Sequence, residues 1–327
     1  MEARLETSTG KRRLPLRSLT SGMQGPLIGL ILLCAFLALA TDTFLSLRNI
    51  LNVMDQITVL GVMAVGMTLV ILIGGIDLSV GSVLALSGMV MGFLANYHGW
   101  PFGLAIAAAL VVSALCGFAS GLMVTRLRMP AFIATLAMMS IARGIASIIT
   151  DGEQIIGFPD WFSNLAIIRN FGFLTVTVGA MIAITIIVWI ILEFRPAGRA
   201  LYAIGGSAEV ARLAGINVRS ATLWVYTLCA LLAGLAGVIL SARLDSAQPS
   251  SGIGYELDTI AAVVIGGASL SGGVGRIGGT IVGVLIIGFL RNGLNLMGVS
   301  PFVQQVIIGL VIAIAVAADT LRRRGAS

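Results

Sequence analysis

The chain has 327 residues, of which 58% are apolar and 10% charged, and a formal net charge of +6. A soluble globular domain carries about a quarter charged residues, so this chain lacks the polar surface to cover itself in water. Long apolar runs with short polar punctuation define an all-α polytopic membrane protein, and no alternating ten-residue pattern of a transmembrane barrel occurs. The basic residues cluster at the ends of apolar runs, which follows membrane topology and excludes nucleic acid as a partner.

Residues 1–21 are polar and basic, with Lys11, Arg12, Arg13 and Arg17, and read as a cytoplasmic tail. The first apolar run lacks a small-residue cleavage site, so it reads as a retained helix rather than a removed signal. Apolar segments fall at about 24–41, 50–73, 79–96, 102–124, 131–150, 174–194, 221–243, 258–271, 277–297 and 302–320. They predict about ten crossings within a transmembrane region at 22–321, with residues 322–327 as a second cytoplasmic tail. Only 258–271 is clearly shorter than the roughly 17–25 residues that a spanning helix needs. Alternate exits carry Arg126 and Arg128, then Arg195, Arg199, Arg212 and Arg219, then Arg276, then Arg322 to Arg324. The opposite loops hold mostly acids: Asp42, Asp151, Glu153, Asp160, Asp245 and Glu256. This asymmetry predicts that both termini are cytoplasmic.

Within the second run, "GGIDLSVGS" (Gly74–Ser82) sets a glycine pair and a carboxylate in apolar surroundings. Each glycine weakens a helix by about 1 kcal/mol relative to alanine, and broken backbone at membrane depth survives only inside protein or against a water-filled cavity. The pair Gly74 and Gly75 therefore predicts a helix break. Asp77 is placed to cap the helix that follows, through the backbone donors of Ser79 and Val80, or else to take part in gating. A cousin, "AVVIGGASLSGGV", aligns Gly266 and Gly267 with that pair and Ser269 with Asp77. Inverted repeats would put equivalent breaks on opposite sides, whereas ten crossings put these on the same side. The likeness is then local helix-break chemistry, or the helix count errs in one half. "GGTIVG" (Gly278–Gly283) supplies small residues for close helix packing.

Further along, Arg143 is expected to pair with a carboxylate, Asp151 and Glu153 being near in sequence, or to snorkel. The loop at 151–173 contains "DGEQIIGFPDWF", suited to an interfacial turn or short helix. The loop at 195–219 has its own design. Gly205 and Gly206 break the chain, Ser207 can cap, Glu209 sits where the helix dipole favours an anion, and Gly215 is placed as the residue that ends the helix. Arg212 and Ala214 complete a two-turn helix too short to be stable alone. Such a segment is either a connector on the membrane surface or a docking element held by a partner.

These stretches, with "MPAFIATLAMMSIARG" (Met129–Gly144), "AIGGSAEVARLAGI" (Ala203–Ile216), "GGASLSGGVGRIGGTIVG" (Gly266–Gly283) and "FVQQVIIGLVI" (Phe302–Ile312), resemble the ribose-type permeases of ABC importers. The resemblance covers almost the whole chain after the tail. It implies a subunit of the bacterial inner membrane that forms the path for a monosaccharide such as ribose, xylose, arabinose or a galactose-like sugar. It also implies a second permease copy, a cytoplasmic ATP-binding subunit docked on the 195–219 loop, and a periplasmic sugar-binding protein. A sugar path needs neutral hydrogen-bonding groups beside apolar or aromatic faces. Asn52, Gln56, Phe132, Met138 and Met139 fit that description, with interhelical bonding or lipid-facing packing as their alternative roles, and Gln304 and Gln305 open the last segment.

No lysine follows any glycine cluster in the phosphate-loop pattern, so the expectation is a transport subunit with no cofactor of its own and ATP bound by the partner. Cys34, Cys116 and Cys229 lie inside apolar runs without metal-ligand spacing, and His98 is the single histidine. An intramembrane enzyme therefore has no credible set of catalytic groups. Permeases for nucleosides or branched-chain amino acids share the scaffold and remain alternatives. An ion-coupled transporter would want paired intramembrane carboxylates and leaves the docking loop without purpose.

Overall fold

Each of the ten apolar segments contains a helix in the computed structural model, which describes residues 24–170 and 172–324. The expected basic tail at 1–21 lies outside the described residues, as do the last three residues of the expected C-terminal tail. The first half runs α1 (Gln24–Ala40), α2 (Leu47–Leu72), α3 (Val80–Gly92, prolonged by a π-turn at Phe93–Tyr97), α4 (Phe102–Thr125) and α5 (Ala131–Ile148). Two strand pairs frame a short helix next: β1 (Ile155–Ile156), α6 (Asp160–Ile167), β2 (Arg169–Asn170) and β3 (Leu174–Thr175). There follow α7 (Val176–Phe194), α8 (Pro196–Gly206), α9 (Ala208–Leu213), α10 (Val218–Leu244) and β4 (Ser246–Ala247). The chain closes with α11 (Tyr255–Ile265), α12 (Ile277–Leu296) and α13 (Pro301–Arg324).

Seven of these are long and apolar enough to cross a membrane: α2, α3 with its π-turn, α4, α5, α7, α10 and α12. The helix α1 and the stretch Pro301–Ile314 of α13 are shorter apolar helices. Local chemistry sets many of the starts. Ser46, Thr175 and Asn217 cap α2, α7 and α10 by accepting the backbone N–H of Asn49, Val178 and Ser220. Prolines precede α4, α5 and α6 and open α8, where a fixed φ suits the first turn.

Around α10 pack α2, α3 and α4. That close approach depends on residues without side chains: a Cβ on Gly237 would collide with Leu84 O, and one on Gly117 with Tyr226 O. A second layer forms where α12 packs on α1, α2 and α11. At one end of the bundle Asn49 and Asn292 exchange hydrogen bonds, each Nδ2 donating to the other's Oδ1 at 2.9 Å. Nearer the other end the hydroxyls of Thr68 and Thr280 meet at 2.7 Å. The loop at 151–173 belongs to the first end, since Arg169 forms an ion pair with Asp55 at 2.8 Å and Ser163 donates to Asp245.

After α10 the chain turns back into the bundle. β4 pairs antiparallel with β1, and the segment that follows descends along α3, with Ala247 against Gly88 and Gly252 against Gly81. Seven residues of helix separate those contacts, about 10 Å of depth. The short helix α11 therefore starts inside the bundle, which explains why its apolar segment is too short to span. Arg143 holds the descending segment: its Nη1 donates to Ser251 O at 2.7 Å and to Pro249 O. The expected pairing with Asp151 or Glu153 does not occur, because backbone carbonyls brought in by the fold satisfy the guanidinium.

Candidate functional site: two helix breaks and the connector that touches them

Both glycine breaks end their helices in the same way. At the end of α2, Gly74 takes φ +77°, Gly74 N donates to Ile71 O and Gly75 N to Val70 O, each at 2.9 Å. At the end of α11, Gly267 takes φ +95°, Gly267 N donates to Val264 O and Ala268 N to Val263 O. These are paired 5→2 and 6→1 closures around a left-handed residue. The left-handed position is Gly74 in one break and Gly267 in the other, one residue out of the sequence alignment, whereas the side chains that close the following turn keep to it. Asp77 Oδ1 accepts from Ser79 N at 2.9 Å and Ser79 Oγ at 2.6 Å; Ser269 Oγ accepts from Ser271 N at 3.1 Å. Asp77 thus closes a tight turn through Ser79 and does not reach Val80. The expected cap on α3 does not form, because Ser79 itself occupies the capping position and no side chain bonds the helix's first N–H groups.

Asp77 is fully buried, and its Oδ2 has no hydrogen-bond partner. The hydroxyl of Tyr226, also buried and unpartnered, stands so close to Gly75 that a Cβ there would strike it. Removing an unpaired buried hydroxyl relieves a desolvation cost. Tyr226→Phe is therefore expected to leave stability unchanged or raise it by up to about 1 kcal/mol, read by thermal unfolding in detergent. A loss of that size instead would mean that the hydroxyl finds a partner in the membrane.

The two breaks lie against each other. Gly273 N donates to Leu72 O at 2.9 Å, and a Cβ on Gly272 would come within 2.8 Å of Gly74 N. The connector α8 closes over both. Gly205 packs so tightly on that hydrogen bond that a Cβ on it would overlap both Leu72 O and Gly273 N. Tyr202 Oη donates to Gly275 O at 2.8 Å, a second tie from α8 to the second break. Gly205 and Gly206 end α8 rather than leaving an open loop, and the helix before them was not expected from the glycine pair.

The two-turn helix α9 forms where the sequence places it. Ser207 Oγ accepts from Val210 N at 3.3 Å, Glu209 pairs with Arg212, and Gly215 takes φ +83° after Ala214 closes the helix. Its outer face is apolar and unpartnered, with Val210 64% and Leu213 80% exposed. Beside it lies a groove of about 280 Å³ bounded by Glu209, Arg212, Asn217 and Arg219.

The path residues do not converge. Asn52 accepts from Arg169 at 3.0 Å beside the Asp55 ion pair, while Gln56 faces a cavity of about 200 Å³. On α5, Phe132 is exposed, Met139 half-buried and Met138 buried. Sequence reasoning passed over Asp258 and Arg291, which pair across α11 and α12. The signal was available, since an ionisable residue inside an apolar segment is expensive and functional by default. Among the described residues no group of acids, cysteines and histidine could hold a metal ion.

Long apolar helices, two broken ones in contact, and a polar connector seated on both breaks define a polytopic membrane transport protein. Residues 49–316 match the family described as branched-chain amino acid transport system / permease component, and the chain belongs to that family. It is 46% identical over 304 residues to the ribose import permease of Escherichia coli K12, covering 92% of this chain and 94% of that one. It is 47% identical to the Bacillus subtilis ribose import permease over 90% and 92% of the two chains. The fructose import permease of Rhizobium meliloti is 38% identical, over 92% and 86%. No solved structure matches the chain.

Proposed function

We propose that this chain is the membrane-spanning permease of an ATP-driven importer for a monosaccharide, energised by a separate ATP-binding subunit docked on α9. The observation that carries the reading is the seat of Gly205 against the hydrogen bond that Gly273 N makes to Leu72 O. Force applied at the connector reaches both breaks through backbone contacts, without a compliant side chain between. The exposed Val210 and Leu213 and the groove beside them supply an apolar anchor with a charged rim, as a docked helix needs. The relatives named for ribose and fructose support a sugar as cargo.

Ten crossings follow if α1 and α13 span and if the descending segment with α11 makes the eighth pass. Arg126, Arg195, Arg199, Arg212, Arg219 and Arg276 then share the connector's side, which supports cytoplasmic termini. The setting is a bacterial inner membrane, with a second permease copy and a periplasmic sugar-binding protein as partners. Asn52, Gln56, Asp77, Phe132, Met138 and Met139 remain proposed path residues, spread over both ends of the bundle.

Reconstitution with the candidate ATPase and binding protein tests this directly, by ATP-dependent uptake of labelled ribose against labelled leucine. Uptake of leucine alone would replace the sugar reading with an amino-acid one. Leu213→Glu, on the exposed face, is expected to abolish co-purification of the ATPase while leaving the permease's own melting temperature unchanged. Retained co-purification and uptake would remove α9 as the docking element.

A further inference from the structure

Three arginines gather where α4 ends. Gly117 of α4 packs on Tyr226, Thr227 and Ala230 of α10, and Gly121 packs on Leu223. The two helices therefore run antiparallel, and this row of α10 faces α4. Arg219 is the next member of the row, one turn before Leu223. It stands beside the turn that follows Thr125, which carries Arg126 and Arg128. All three arginines are exposed, and none forms a hydrogen bond or ion pair with another described residue.

No acid in the neighbouring sequence balances them. Neither Asp nor Glu occurs between Asp77 and Asp151 or between Glu209 and Asp245, and Glu209 is taken by Arg212. The shape of the turn does not require these charges either, since Arg128 takes φ +55°, a conformation that glycine adopts without steric cost. A solvated charged face would account for the arginines but not for the apolar groups set among them. Leu127, between two of the arginines, is 68% exposed, and so is Trp224, five residues further along α10 than Arg219. Five residues of helix are about 8 Å, close to the depth of one headgroup layer. A tryptophan at that depth with cations outside it is the pattern of a membrane–water interface.

We propose that Arg126, Arg128 and Arg219 bind the headgroup of an anionic phospholipid, whose acyl chains run past Leu127 toward the depth of Trp224. A guanidinium fork meets phosphate oxygens two at a time, and an unbalanced basic cluster attracts an anionic leaflet. The rival occupant is an acidic surface of the ATP-binding subunit, because Arg219 also borders the groove beside α9. The interfacial depth of Trp224 favours lipid.

The test titrates the full-length permease in detergent with phosphatidylglycerol or with phosphatidylcholine of the same acyl chains, and reads bound lipid by native mass spectrometry. The parent is expected to bind phosphatidylglycerol at least about tenfold more tightly than phosphatidylcholine. The triple variant Arg126→Gln, Arg128→Gln, Arg219→Gln is expected to lose that preference with phosphatidylcholine binding unchanged. Arg48→Gln removes an exposed cation at the opposite end of the bundle and is expected to keep it. Should the triple variant fail to fold, Arg219→Gln alone is expected to weaken phosphatidylglycerol binding by about threefold or more. No preference in the parent, or an undiminished preference in the folded variants, would overturn the site. Loss of co-purification with the ATP-binding subunit while the lipid preference persists would assign the cluster to that protein instead.

Discussion

Gly205→Ala should stop coupled transport although it adds a single methyl group. That methyl would overlap the backbone oxygen of Leu72 and the backbone nitrogen of Gly273, and neither can swing aside like the tip of a flexible side chain. Forced overpacking costs about 1–3 kcal/mol, here concentrated where the connector meets both breaks. The expected result is a lower melting temperature and at least a tenfold loss of ATP-driven uptake, with the ATPase still co-purifying because α9 is untouched. The neighbouring residue is the control. Gly206 has no atom within 4 Å of where its Cβ would stand, so Gly206→Ala should be neutral or slightly stabilising through helix propensity. Equal behaviour of the two variants would show that the wedge transmits nothing.

The second large effect is expected at Asp77, where chemistry and charge can be separated. Asp77→Ala strips the acceptor from Ser79 N and Ser79 Oγ, both inside a buried turn. Leaving buried donors unsatisfied costs about 1–3 kcal/mol. Asp77→Asn keeps an oxygen for the same bonds and removes a buried carboxylate, so its stability should match the parent within about 0.5 kcal/mol. If the carboxylate only closes this turn, the Asn variant transports sugar at close to the parental rate. A stable Asn variant that no longer transports would move Asp77 from a structural role to gating.

Much of this arrangement was legible because it is local. Ser207, Glu209 and Gly215 state the start, the first turn and the end of α9 within nine residues, and the helix forms there. The glycine pairs announce breaks for the same reason. What stayed hidden depends on contacts between segments far apart in the chain. Gly205 read as a loop residue, because nothing near it in sequence tells that the backbone of Leu72 and Gly273 will pack on it. Arg143 was matched to nearby acids, whereas its partners are backbone carbonyls of Pro249 and Ser251, and a carbonyl has no letter of its own. Asp258 and Arg291 are a different case. Their charges stand out in apolar segments, but only the fold shows that they face each other.

The reciprocal amide pair of Asn49 and Asn292 gives α2 and α12 the mechanics of tongs. The rivet sits at the end away from the connector, and the jaws are the chain around Leu72 and Gly273, tied by one backbone hydrogen bond and, a turn further in, by the hydroxyls of Thr68 and Thr280. From Asn49 to Leu72 the arm is about 35 Å at 1.5 Å per residue. A push of 1 Å at the wedge therefore turns that arm by about a degree and a half. On the proposed docking at α9, small strokes at the connector reach the far end as rotation rather than sliding, with the amide pair as the pivot.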